Sequence, residues 1–194
     1  MSSYYYFTAT LPTLQASASA PPIPYDEFTD RASRFLSARD AATLASARLY
    51  LPEDGSFPAA SGASTLLKRY YRWELSLRNE LARLRAGRLQ KPVEKHVKPG
   101  DPEWDGLKVA QAAFQAEDPL QGELLIERER WAFIEGLSVN RFFDMEHLVA
   151  YALLLQVLER RARFSAERGQ ESYRTVYKSV LETADYRDES GEKA

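Results

Sequence analysis

The sequence predicts an all-α protein, a compact bundle of about seven helices packed around a buried central helix at 144–168. Three observations carry that expectation. Between Leu148 and Leu158 only Gln156 is polar, so a helix there is apolar on nearly every side and must be wrapped by other elements. From residue 64 to 87 large apolar residues recur at helical spacing. After residue 24 period-3.6 patterns dominate, and no convincing sheet pattern competes with them.

The chain opens with Tyr4-Tyr5-Tyr6-Phe7-Thr8-Ala9-Thr10-Leu11-Pro12. Aromatic and threonine content favours an extended segment, which is expected to cross the core and to end at Pro12. The Ala-, Ser- and Pro-rich stretch to Pro24 reads as a loop. A helix then starts at Pro24 or Tyr25, with Asp26 and Glu27 complementing its dipole. Its inner face is Tyr25, Phe28, Ala32, Phe35 and Leu36. Ser37 or Asp40 caps a second helix reaching about Leu49, and 51–63 is a loop.

The longest helix runs from Ser64 to about Gly87. Leu66, Tyr70, Trp73, Leu77, Leu81 and Leu84 form one apolar stripe, and Leu67, Tyr71, Leu75 and Ala82 a second about 100° away. Glu74, Arg78 and Arg85 fall in the arc between them. Glu74 and Arg78 are spaced for an intrahelical pair, read as half-buried against neighbouring helices, with a polar contact to a partner protein as the functional alternative. Lys91–Pro102 is a basic, proline-bearing hinge containing an exposed His96. Helices follow over 102–116 and, capped by Asp118 with Pro119 in the first turn, to Leu137. The inner face of the latter is Leu120, Leu124, Glu127 or Arg128, Trp131 and Ile134. Asp144 caps the central helix and Gly169 stops it. A last helix at 171–184 and a frayed tail at about 187–194 complete a single domain.

The apolar run of the central helix covers eleven positions, short of the roughly 20 needed to cross a bilayer. Charges close it at both ends, so no membrane span is expected. With 26 Lys and Arg against 28 Asp and Glu, net charge offers no general case for nucleic acid or an anionic membrane. The absence of cysteine removes disulfides, thiol chemistry and sulfur-bearing zinc sites. No signal peptide is read at the N-terminus, and a cytoplasmic location is expected. The charge is nevertheless uneven: 66–100 holds ten basic and three acidic residues, 101–135 three basic and nine acidic. Two helical segments with mutually attracting solvated faces explain this most simply; two patches for different partners are the alternative.

No phosphate loop, zinc-protease helix, calcium loop or nucleophile elbow occurs. His96 and His147 are not placed to share a metal. The basic residues around Tyr70, Tyr71 and Trp73 would suit nucleic acid, but those aromatics fall on the core stripes. No catalytic, cofactor or metal site is expected, and the protein is read as noncatalytic.

The opening Y-Y-Y-F-T-A-T-L-P, the P-Y-D-E-F that follows and the helix R-W-E-L-S-L-R-N-E-L-A-R-L-R-A resemble an uncharacterised bacterial family encoded within operons for V/A-type ATPases. The central Y-A-L-L-L-Q-V-L-E-R-R-A-R is similar to the final long helices of the C-type subunit of V/A-type ATPases (the d-type subunit in eukaryotes). There a Tyr and several Leu precede Glu-x-Arg, matching Tyr151, Leu154, Leu155, Glu159 and Arg161. The resemblance implies an all-helical socket between the central stalk and the proteolipid ring, working through partner contacts without cofactors and placed peripherally at the inner face of the membrane. The C-type subunit holds three similar helical modules and 194 residues hold fewer. Its replacement by this chain, a cap upon it and assistance in assembly all remain open.

Overall fold

Side chains from Leu148 to Leu158 are buried at every position except the partly exposed Gln156, as an all-round apolar helix requires. They belong to α7, Met145–Arg163, in a computed structural model that describes residues 4–100 and 106–164. The preceding helices are α1 (Tyr5–Ala9), α2 (Tyr25–Ser33), α3 (Ala38–Ala45), α4 (Thr65–Arg88), α5 (Leu107–Phe114) and α6 (Pro119–Ser138), with 3-10 turns at Ala59–Ala63 and Val93–Lys95. Among the described residues there is no strand, and the fold is all-α. The described residues up to Arg161 make one compact unit. The helix expected at 171–184, the Gly169 stop and the frayed tail lie outside the described residues.

Local chemistry sets the helix ends. Ser37 Oγ accepts from the Asp40 amide at 3.2 Å, and Asp118 Oδ1 from the Gln121 amide at 2.8 Å with Pro119 in the first turn. Asp144 Oδ1 accepts from the His147 amide at 2.9 Å. The start of α4 is capped twice. Ser64 Oγ takes the Leu67 amide at 3.1 Å, and Glu146 of α7 takes the Ser64 hydroxyl at 2.6 Å and the Thr65 and Leu66 amides at 2.9 and 3.2 Å. One carboxylate thus begins α7 and pins α4, using its charge at the positive helix end.

Both stripes of α4 face the core. Leu66, Tyr70, Trp73, Leu77 and Leu81 are buried, and so are Leu67, Tyr71 and Leu75. Helix α5 lies unusually close to α4. A Cβ on Gly106 would stand 2.6 Å from both the backbone N and Cα of Leu77, and the Gly106 amide donates to Ser76 Oγ at 3.2 Å. Because the obstacle is backbone, Gly106→Ala is expected to destabilise by about 1–3 kcal/mol, read from the urea midpoint. An unchanged midpoint would show that α5 can lift away without cost.

Several expectations are corrected. The aromatic opening forms a short helix, not an extended strand. Thr8 Oγ1 donates back to the carbonyls of Tyr4 and Tyr5 at 3.0 Å, the Tyr4 amide donates to Phe143 O at 2.7 Å, and Phe7 enters the core. Packing outweighs strand propensity here. Helix α2 ends at Ser33, leaving Phe35 47% exposed. Helix α3 ends at Ala45 because residues 46–51 are drawn aside by side chains of other helices. Helix α5 begins only at Leu107, which is itself 39% exposed. The buried face of α6 is Ile126, Glu127, Arg130, Trp131 and Ile134, while Leu120 is 37% exposed.

Candidate functional site

The most elaborate polar arrangement among the described residues is buried where α4, α6 and α7 meet the loop after α3. Arg130 of α6 clasps Glu74 of α4 in a two-pronged pair, with Nε to Oε2 at 2.9 Å and Nη2 to Oε1 at 2.8 Å. Its remaining Nη1 donates to Glu127 Oε1 at 2.7 Å, one turn back on the same helix. Arg160 of α7 donates from Nε to that same oxygen at 2.8 Å and from Nη2 to Glu123 Oε2 at 2.8 Å. Glu74 and Glu127 are fully buried and Arg130 is 4% exposed.

Tyr50 closes the group. Its hydroxyl donates to Glu127 Oε1 at 3.3 Å. The guanidinium carbons of Arg130 and Arg160 stand 4.9 and 5.0 Å from its ring centre, within cation–π range. Burial pushes the Tyr50 phenol well above its usual value, opposed by Arg130. Burial likewise raises Tyr70, with the Glu74 charge adding to it. Burial works against the charge on Arg130, but Glu74 more than compensates and holds it firmly protonated. Both oxygens of Glu74 are occupied, while Glu127 Oε2 and the Trp131 indole nitrogen are buried without a hydrogen-bond partner. The arrangement cross-ties α4, α6 and α7, with each of its acids paired to a guanidinium.

The pair expected between Glu74 and Arg78 does not form. Glu74 turns inward to Arg130, and Arg78 Nη1 donates to the Leu51 carbonyl at 2.9 Å. Arg85 is exposed and joins neither. Tyr151, Glu159 and Arg161 serve the protein's own N-terminal segment. The Tyr151 hydroxyl donates to Pro12 O at 3.0 Å, Glu159 Oε1 accepts from the Tyr25 amide at 2.7 Å and so caps α2, and Arg161 donates to Ala16 O.

Residues 46–51 are held the same way. Tyr70 donates to Leu49 O at 2.8 Å, and Tyr71 donates to Ser46 O while accepting from the Arg48 amide at 2.9 Å. Gln156, the one polar residue of the apolar run, donates to Ala47 O at 2.8 Å and accepts from the Leu49 amide at 3.1 Å. Burial pushes the Tyr71 phenol up to about 12. A phenol whose folded pKa lies above its unfolded value near 10 contributes stability that is intact below about pH 10 and lost as pH climbs towards 12. The urea midpoint is therefore expected to fall across that window, and to fall less steeply in Tyr71→Phe. Equal slopes would mean that the hydroxyl ionises freely in the folded state.

Sequence reasoning missed Arg130 and Tyr50. Arg130 stands four residues from both Ile126 and Ile134 and so shares their buried stripe. Tyr50 lies in a loop, where no periodicity marks it. His96 is exposed as expected, and His147 Nδ1 lies 3.1 Å from Arg141 O. Among the described residues no three His, Asp or Glu converge as a metal site, and no helix is long and apolar enough to cross a membrane.

Residues 105–183, less than half of the chain, match the model of a family described as "Protein of unknown function (DUF2764)". No curated protein and no solved structure matches the chain.

Proposed function

We propose that this chain is a noncatalytic helical component of a bacterial V/A-type ATPase, coupling the central stalk to the proteolipid ring in the manner of the C-type subunit. The resemblance of the aromatic opening and of the α4 and α7 sequences supports the choice of assembly. The structural observation that carries the reading is the division of labour among side chains. Buried polar groups cross-tie the protein's own elements, while large aromatics face solvent. Tyr5 is 62% exposed, Tyr6 74%, Phe142 61% and Phe143 43%, and the Tyr5 and Phe143 rings meet at 4.6 Å. An exposed aromatic cluster of this kind marks a surface that partners cover. Cross-tied helices give a stiff body, which a torque-bearing spacer needs.

Tagged protein is expected to bring down stalk and ring subunits from detergent-solubilised membranes. The double variant Tyr6→Asp/Phe142→Asp, changed only at exposed positions, should keep its helical circular dichroism yet lose most of that recovery. Recovery of no ATPase subunits by the wild-type protein would overturn the assignment. Recovery of a subassembly but not of the finished complex would make the chain an adaptor or assembly factor.

A further inference from the structure

A second surface lies away from the aromatic corner, along the C-terminal half of α4. After α4 the chain turns at Gln90, which adopts φ +52°, and runs back beside the helix. Asn79, buried at 7% exposure, holds the returning backbone with a reciprocal pair of bonds: Nδ2 to Lys98 O and the Lys98 amide to Oδ1, both 2.9 Å. Gly55, at φ +78°, receives the Lys98 stem. Between helix and returning segment runs an open groove of about 380 Å³. Its walls run from Leu75 to Leu89, about 21 Å of helix at 1.5 Å per residue.

The groove has an apolar floor and a cationic rim. Leu75, Leu81 and Ala86 form the floor, and Leu89 at its mouth is 63% exposed. Arg85, Lys91 and Lys98 line the rim, joined by His96. Two carboxylates oppose them: Glu53 in the wall, and Asp54, whose charge feels Lys98. Arg78 is engaged with the Leu51 carbonyl. Cations therefore outnumber acids along a channel that follows α4 for several turns. A small anion would use only one end of it. A helix of three to four turns, with an apolar stripe flanked by carboxylates, would match its length, its floor and its charge.

We infer that this groove docks an acidic amphipathic segment of a partner protein, with Leu89 and the floor taking its apolar stripe and Arg85, Lys91 and Lys98 its carboxylates. The inference deepens the proposed function by naming the chemistry of one partner contact. Its test uses the isolated full chain, so its failure and a failed co-purification are separate results.

The probe is a fluorescein-labelled 16-residue helical peptide with leucines at i, i+3, i+4 and i+7 and glutamates on both flanks. Its counterpart carries lysine for every glutamate. Anisotropy is expected to show binding of the acidic probe that weakens as salt rises, with the basic probe weaker by at least about tenfold. Arg85→Glu/Lys98→Glu should lose the acidic probe by a similar factor, and Leu89→Asp should do so by removing the apolar contact at the mouth. Arg83→Glu, outside the groove, should bind as wild type. If the double variant proves unfolded by circular dichroism, Leu89→Asp, altered at an exposed position, decides the matter. The inference is overturned if the acidic probe does not bind, if both probes bind alike, if Leu89→Asp binds normally, or if low-millimolar pyrophosphate displaces the probe completely. That last result would assign the rim to small anions.

Discussion

Replacing Arg130 by methionine is expected to cost about 3–5 kcal/mol of folding stability at neutral pH, the scale for breaking a buried ion pair. Both oxygens of Glu74 accept from Arg130, so the variant leaves a fully buried carboxylate without its cation. Glu127 fares better, because Arg160 still donates to it at 2.8 Å. The loss is a large share of the roughly 5–15 kcal/mol that holds an ordinary domain folded. The expected cost reflects the stranded charge more than any net gain from the intact pair, since desolvation offsets much of the attraction. The double variant Glu74→Leu/Arg130→Met should therefore recover most of the lost stability, and a double-mutant cycle in urea measures the coupling. Arg78→Met, which gives up only bonds to the Leu51 and Pro52 carbonyls, should cost only about 1 kcal/mol. A loss of under about 1 kcal/mol in Arg130→Met would mean that water reaches Glu74, contrary to its burial.

What the sequence made legible follows from the range of the interactions involved. The stripes of α4 and the all-round apolarity of α7 depend on neighbours three and four residues away, so spacing alone revealed them. Caps at Ser37, Asp118 and Asp144 were readable for the same reason. Glu74 could be recognised as a polar residue between two apolar stripes, but its partner is 56 residues distant and no local spacing points there. The nearer Arg78 therefore looked like the mate. Tyr151, Glu159 and Arg161 were singled out by resemblance as candidate structural or partner-contact residues. The structure turns all three onto residues 12–25 of the same chain, a role visible only once α7 and the N-terminal segment are brought together. The aromatic opening misled for a different reason. Strand propensity describes fit to a pleated surface, and where the surroundings are helices the same rings pack as well from a short helix.

The second large effect concerns the rod itself. Leu155→Ala is expected to cost about 4–5 kcal/mol, the upper part of the range for truncating a buried leucine. Within that range the cost depends on how far the surroundings collapse into the space left behind. Leu155 is fully buried between Leu154 and Gln156, and α7 is poorly free to shift. Glu146 pins it to α4, Tyr151 to Pro12, Gln156 to residues 47–49 and Glu159 to α2. Moving the helix to fill the cavity would stretch several of these bonds, so the cavity should persist. Leu155→Met, which nearly conserves volume, should stay within about 1.5 kcal/mol. Leu124→Ala on the partly exposed side of α6 should cost clearly less, because fewer of its contacts are with protein. Urea midpoints of the three variants order these effects. A cost for Leu155→Ala of under about 2 kcal/mol would show that α7 yields, and a helix that yields so readily would count against the proposed torque-passing role.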